Sequence, residues 1–121
     1  LHLKALPGKM AFDQEVLTVS AGKSVSLLFD NSDQMPHNIV VVKPGNTEKV
    51  GTAADGMASL ADGYEKQFVP DMPEVLFATP LVNAGETYQL DFAAPDAPGD
   101  YPFICTFPGH WRIMQGILKV Q

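Results

Sequence analysis

Short apolar runs separated by turn residues recur along the whole chain. In residues 86–93, large apolar side chains alternate with polar ones, which is the two-residue period of a strand with one solvent-facing side. Seven segments carry strand signatures of this kind: 15–20, 23–30, 37–42, 74–81, 86–93, 101–107 and 116–120. Gly- and Pro-containing turns separate them at the spacing of short strands in a two-sheet structure. The pattern therefore predicts an all-β sandwich.

Two segments depart from this pattern. Residues 46–66 are rich in alanine, and several of their apolar residues lie near helical spacing, so a short helical flap is predicted there with Asn46 as its N-cap. Residues 1–8 are predicted to form a lead-in that a Pro-Gly turn separates from the rest of the chain.

Length and composition indicate one domain that spans residues 1–121. The chain is 45% hydrophobic and 18% charged, as expected of a soluble globular protein, and no apolar run approaches the roughly 20 residues that cross a bilayer. The net charge of −6 excludes a nucleic-acid partner, because a phosphate backbone requires a basic surface. Since the chain begins at Leu1 rather than Met, we expect either a mature product after signal removal or a domain cut from a longer chain.

The loop between the last two predicted strands carries three potential metal donors. Cys105, His110 and Met114 lie on this loop, and the sequence of residues 107–110 places Pro and Gly where a type II turn needs them. Such a turn brings His110 back toward Cys105. A second histidine, His37, begins the predicted strand 37–42, so strands of alternating direction would bring all four donors to one end of the sandwich.

The donor types indicate which metal this group would bind. Thiolate and thioether favour copper(I), imidazole binds either oxidation state of copper, and hard cations need oxygen ligands. Each residue alone is more often an ordinary core or surface residue, but the combination at this spacing favours a blue-copper site. Cys105 is the only cysteine, so the chain forms no internal disulfide. The remaining histidine, His2, has no candidate donor near it in sequence, and we expect it to be solvated.

The stretch CTFPGH with a methionine four residues later resembles the ligand loop of azurin and auracyanin, which are members of the cupredoxin family. The resemblance extends over nearly the whole chain, including the sequences KMAF, DGMAS and GILKV. It implies a cupredoxin Greek-key β-sandwich that transfers single electrons through a mononuclear type 1 copper centre, as an electron carrier rather than an enzyme. It also implies an extracytoplasmic location: periplasmic, secreted or membrane-tethered facing outward.

The resemblance further implies a role for each ligand of one copper ion. His37, Cys105 and His110 would form the equatorial plane, with Met114 as the weak axial ligand. Pro36 stands where azurin has a glycine whose carbonyl approaches the copper, so we expect four-coordinate copper.

Two backbone N–H groups, those of Asn38 and Phe107, would donate to the thiolate in this family pattern, which predicts a comparatively high reduction potential. We also expect the Asn38 side chain to bind the ligand loop near Thr106.

A docking surface for a redox partner is expected around His110, formed by Met35, Pro108, Trp111 and Arg112. In the alternative interpretation, Trp111 folds back onto its own domain and Arg112 is a solvated charge. The acidic surface would steer a basic partner such as a c-type cytochrome; a dehydrogenase, including one fused to this domain, is the other expected partner.

Two other functions compete with electron transfer. A copper carrier would need exposed, exchangeable ligands. An enzyme would use the Cys105–histidine pair as nucleophile and base.

Overall fold

The alternating segments of the sequence form two β-sheets that face each other. The computed structural model describes residues 1–121 and contains eight strands and one helix. In chain order they are β1 (His2–Ala5), β2 (Val16–Val19), β3 (Ser24–Asn31), β4 (Val40–Val42), α1 (Thr47–Met57), β5 (Val75–Ala78), β6 (Thr87–Ala93), β7 (Gly99–Ile104) and β8 (Gln115–Val120). All seven predicted strands are present, most of them one to four residues shorter than predicted.

The two sheets have three and five strands. The smaller sheet has the order β1-β3-β6, and the larger has the order β2-β8-β7-β4-β5. β1 runs parallel to β3 and β2 runs parallel to β8, whereas the other neighbouring strands are antiparallel. Because consecutive strands often lie in different sheets, the chain crosses repeatedly between the two layers. The predicted cupredoxin Greek-key β-sandwich is confirmed.

Apolar side chains from both sheets fill the space between them. Along β3, Val25, Leu27 and Phe29 are buried while the residues between them are exposed or half-buried, as period-2 alternation requires. The edge of the Phe12 ring packs against Phe29 and Phe103, with ring centroids 6.1 and 5.3 Å apart. This core extends to the end of the sandwich where the predicted metal donors lie.

The helix α1 covers the outer face of the larger sheet. All three residues of β4 are buried, because Val41 faces the inter-sheet core while Val40 and Val42 face a second apolar cluster beneath the helix. Val50 of α1, Ile104 of β7 and Trp111 complete that cluster. Burial on both faces explains why β4 is a continuous valine run rather than an alternating one. α1 is neither long nor apolar enough to cross a lipid bilayer.

Two details differ from the sequence-based predictions. The segment 1–8 is not merely a lead-in, since β1 pairs with β3 and buries Leu3 and Ala5 completely. Asn46 occupies the N-cap position of α1, but its side chain makes no capping hydrogen bond and instead donates to the Pro44 carbonyl at 2.9 Å. His2 is exposed, as predicted.

Candidate metal centre

His37 lies between β3 and β4, where the backbone pairs with a single residue of a later loop. The His37 N–H donates to the Val82 carbonyl at 3.1 Å, and the Val82 N–H donates to the His37 carbonyl at 2.8 Å. Asn31, fully buried at the end of β3, shapes the preceding turn: its Nδ2 donates to the carbonyls of Met35 and Val82, both at 2.8 Å. These contacts enclose the His37 side chain, which is completely buried.

Cys105 and Met114 occupy the two ends of one loop, directly after β7 and directly before β8. The Cys105 N–H donates to the Met114 carbonyl at 3.1 Å, which continues the antiparallel pairing of the two strands. Inside the loop, Gly109 has a φ of +87° and the His110 N–H donates to the Phe107 carbonyl at 3.0 Å. This is the geometry of the predicted type II turn.

Three candidate ligand atoms meet at this end of the sandwich. The Sγ of Cys105 lies 3.7 Å from Nδ1 of His37 and 3.7 Å from Nδ1 of His110, and all three atoms lie within 4.8 Å of one another. At zinc-like bond lengths of about 2.3 Å to sulfur and about 2.0 Å to nitrogen, an angle of 120° separates the two donors by about 3.7 Å. The side chains therefore fit a trigonal metal site. Met114, the fourth donor, is fully buried in the same core cluster as Cys105.

Burial controls the protonation of these donors. It raises the pKa of the Cys105 thiol to about 11, although the backbone N–H groups of Asn38 and Phe107 act in the opposite direction by donating to the sulfur. These are the two donors that the resemblance implied. Burial, followed by the charge of the neighbouring His37, also lowers the pKa of His110. Burial therefore favours a neutral imidazole at His110 and favours a thiolate at Cys105 only when a cation is bound, as a metal ligand set requires.

Asn38 joins the two loops that carry the ligands. Its Oδ1 accepts the Thr106 N–H at 2.8 Å, and its Nδ2 donates to the Thr106 hydroxyl at 2.8 Å. Both residues are completely buried. The predicted contact between Asn38 and the loop near Thr106 is therefore present, and it fixes the residue after His37 against the residue after Cys105.

Trp111 does not face solvent. The side chain is only 7% exposed, and it lies so close to α1 that a Cβ on Gly51 would be 2.2 Å from Cδ2 of the indole ring. Its Nε1 donates to Asp55 at 3.0 Å. The ring folds back onto its own domain, as in the alternative interpretation, because the helix offers both a gap at Gly51 and a hydrogen-bond acceptor for the indole N–H. Arg112 remains exposed, 4.4 Å above the indole ring and 3.1 Å from Asp55.

Three apolar residues on the two ligand-carrying loops are at least partly accessible to solvent. Met35 is 42% exposed, Ile113 is 63% exposed and Pro108 is half-buried. His110 itself is 3% exposed, and its Nε2 makes no hydrogen bond within the protein and is not sealed from solvent. Of the predicted docking residues, Met35 and Pro108 are thus at least partly accessible, as is Ile113, and their role in docking stays a prediction.

Several residues at the site escaped the sequence analysis. Phe68 packs edge-on against Phe107, whose ring lies 4.9 Å from that of His110, and Tyr64 packs edge-on against Phe68. Gln67, which precedes Phe68, shares with it the left-handed backbone region, with φ values of 58° and 54°. No local sequence signal marks such a turn when neither residue is glycine. Asp33, which contacts His37, was also missed, although a carboxylate four residues before a candidate ligand is a usable signal.

The Greek-key sandwich and its buried group of two histidines, one cysteine and one methionine define a blue-copper protein of the cupredoxin class. A family model described as copper-binding proteins of the plastocyanin/azurin family matches residues 1–121. The chain belongs to this family.

Known relatives agree with the family assignment. Auracyanin-A of Chloroflexus aurantiacus is 40% identical over 115 residues, which cover 93% of this chain and 68% of that protein. Auracyanin-B of the same organism is 39% identical over 127 residues, which cover 99% of this chain but only 51% of that protein. The solved structure of auracyanin A matches with a TM-score of 0.88 at 35% identity, covering 100% of this chain and 97% of that chain.

The family and the donor geometry together define the centre. His37, Cys105, His110 and Met114 form a type 1 site for one copper ion, with the methionine as axial ligand. Bound copper supplies a one-electron couple between its two oxidation states. The domain is therefore an electron carrier and not an enzyme, which excludes the nucleophile interpretation of Cys105.

Proposed function

We propose that this domain carries single electrons between redox proteins outside the cytoplasm, and that electrons enter and leave through His110. The observation that carries the proposal is the difference between the two histidines. His37 is completely buried, and its Nε2 is bound to Asp33, whereas Nε2 of His110 makes no hydrogen bond within the protein and is not sealed from solvent. The exposed or half-buried apolar side chains of Met35, Pro108 and Ile113 form the docking patch of this proposal.

The enclosure of the ligands supports electron transfer over copper transport. All four ligand side chains are at most 3% exposed, so none is available for exchange with another copper-binding protein. The two hydrogen bonds between Asn38 and Thr106 hold the two ligand loops together without involving any ligand side chain. A site that is already assembled needs little rearrangement when the charge of the metal changes by one.

Two kinds of redox partner are proposed for this domain. The net charge of −6 favours a basic partner, so we propose a c-type cytochrome, with a dehydrogenase as the second candidate, either free or fused to this domain. An extracytoplasmic location is supported by the resemblance to azurin-like proteins, which work outside the cytoplasm. Pro36 is half-buried directly before His37, and four-coordinate copper without a carbonyl contact at Pro36 stays a prediction.

Visible absorption tests the function first. Addition of Cu(II) to the purified domain is expected to give an intense blue band that a mild reductant bleaches reversibly and that Cys105→Ser abolishes. Absence of the band in the wild-type domain would contradict the proposal and reopen the carrier interpretation.

The kinetics of electron transfer to a basic c-type cytochrome test the docking patch proposed around His110. Ile113→Asp is expected to lower the second-order rate constant at least tenfold because it places a charge in the apolar patch. Leu28→Asp, on the exposed face of β3 in the other sheet, adds the same charge away from the ligand loops and is expected to leave the rate nearly unchanged. Equal rate constants for the two variants would refute docking at the patch, and a salt-independent wild-type rate would refute charge steering.

A further inference from the structure

The imidazole of His37 is held from behind by a carboxylate. Its Nδ1 faces Cys105, whereas its Nε2 lies 2.8 Å from Oδ2 of Asp33. His37 is completely buried and Asp33 is only 7% exposed, so little water competes for this contact. Asp33 thus lies outside the ligand set but touches one of its members directly.

Asp33 is itself fixed from two sides. Its Oδ1 accepts the backbone N–H of Gly8 at 2.9 Å, and its own N–H donates to Oδ1 of the buried Asn31 at 3.0 Å. Gly8 belongs to the turn after β1, and Asn31 ends β3. The paired strands β1 and β3 therefore determine where the carboxylate lies, and the carboxylate in turn limits the rotation of the His37 ring.

A carboxylate can only accept a hydrogen bond at this position. Because Asp33 accepts from Nε2, the Nε2–H tautomer of His37 is favoured, which leaves the lone pair on Nδ1 directed toward the ligand group. A carboxylate partner also makes a metal-bound imidazole a better electron donor, which stabilises the higher oxidation state of the metal. His110 has no such partner on its Nε2 within the protein. The two histidines therefore differ in the hydrogen bonding of the ring nitrogen that faces away from Cys105.

We propose that Asp33 is a positioning residue that holds His37 as the Nε2–H tautomer and lowers the reduction potential of the copper centre. The second half of this inference rests on the copper function proposed above, whereas the first half concerns the protein without metal. The action of Asp33 on the potential is opposite to that of the N–H groups of Asn38 and Phe107, which donate to the thiolate.

The metal-free protein tests the tautomer. In ¹⁵N NMR spectra at pH 8, His37 of the wild type is expected to show a protonated Nε2 and an unprotonated Nδ1. Asp33→Ala is expected to give a mixture of both tautomers while leaving His2 and His110 unchanged. A protonated Nδ1 in the wild type, or an unchanged tautomer in Asp33→Ala, would overturn the assignment whether or not the protein binds copper.

The copper-loaded protein tests the potential. Asp33→Ala and Asp33→Asn are both expected to raise the midpoint potential, and a tenfold shift in the relative affinity for Cu(II) and Cu(I) corresponds to 59 mV for a one-electron couple. The matched control is Asp13→Asn, which removes an equal charge from an exposed carboxylate that also accepts a backbone N–H, that of Lys4 at 2.9 Å. It is expected to leave the potential unchanged.

Each outcome of these measurements has a distinct meaning. A rise in both Asp33 variants but not in the control supports the proposal, whereas an equal rise in Asp13→Asn, or none in either Asp33 variant, would overturn its second half. If Asp33→Ala fails to fold, the comparison of midpoint potentials between Asp33→Asn and Asp13→Asn still tests the effect of Asp33. A wild-type protein without a reversible couple would remove the copper function and with it the effect on the potential, while the tautomer result would stand on its own.

Discussion

A single methyl group at Gly51 tests how tightly the helix supports the ligand loop. Gly51 lies on the buried face of α1, where the Trp111 indole takes the place that a side chain would fill. A Cβ at Gly51 would lie 2.2, 2.4 and 2.7 Å from three ring atoms, well inside contact distance. Gly51→Ala must therefore displace the indole of Trp111, which directly follows the ligand His110 in the chain.

The change in unfolding free energy caused by Gly51→Ala is the sum of opposing contributions. Alanine in a helix interior is favoured over glycine by up to about 1 kcal/mol. Against this, overpacking of a closed site costs about 1 to 3 kcal/mol, and displacement of the ring breaks the hydrogen bond from Trp111 to Asp55, worth about 1 kcal/mol. The net result is a loss of roughly 2 kcal/mol of unfolding free energy. A shift of the blue absorption band is expected as well, because the backbone after His110 moves with the ring.

Chemical denaturation of the metal-free protein measures the stability, and a matched control lies in the same helix. Gly56 is exposed, and no atom would lie within 4 Å of a Cβ there, so Gly56→Ala is expected to stabilise the protein slightly. Trp111→Leu opens space, so Gly51→Ala in that background is expected to be neutral or stabilising. Stabilisation by Gly51→Ala in the wild-type background would refute this account, as would equal effects at the two glycines.

Three further predictions concern the loops that carry the ligands. Asn38→Ala leaves the buried Thr106 N–H without an acceptor and is expected to lower the unfolding free energy by roughly 3 kcal/mol in urea titrations. A loss below about 1 kcal/mol would contradict the stabilising role of the hydrogen bonds between Asn38 and Thr106. Burial raises the pKa of Cys105 from 9.0 to about 11. The unfolding free energy of the metal-free protein should therefore fall by about 3 kcal/mol as the pH rises from 9 to 11. In melting experiments, Cys105→Ser should not show this pH dependence. Phe107→Pro removes an N–H donor to the thiolate and should lower the midpoint potential in voltammetry relative to Phe107→Ala, which loses the same ring but keeps the donor; equal midpoints would contradict the role of that N–H.

The sandwich was predictable because its strands carry their pattern locally. Alternation along residues 86–93 and 23–30 reports which face is buried, and that information needs no distant partner. The metal donors were predictable for a similar reason, since three of them lie on one loop whose Pro-Gly turn determines its own shape. The fourth donor, His37, was predicted at the start of strand 37–42; in the structure it lies three residues before β4, at the same end of the sandwich.

What the sequence did not predict depends on contacts between distant segments. β1 has only four residues, and its pairing is visible only once β3 lies beside it. The burial of Trp111 depends on the gap left by Gly51, 60 positions earlier in the chain. A glycine inside a predicted helix indicates weakness from the sequence alone, whereas in the fold it is the place where another segment packs.

The structure assigns different tasks to the two histidines, and the tasks follow from what lies behind each ring. Behind His37 stands Asp33, anchored to β1 and β3, so this ligand is fixed in orientation and carries a negative charge at its back. Behind His110 there is no protein acceptor, so its outer nitrogen is left for a partner or for water. The buried side of the site can therefore adjust the potential, through the carboxylate on one ligand and the N–H donors on Cys105, without altering the surface at which electrons are exchanged.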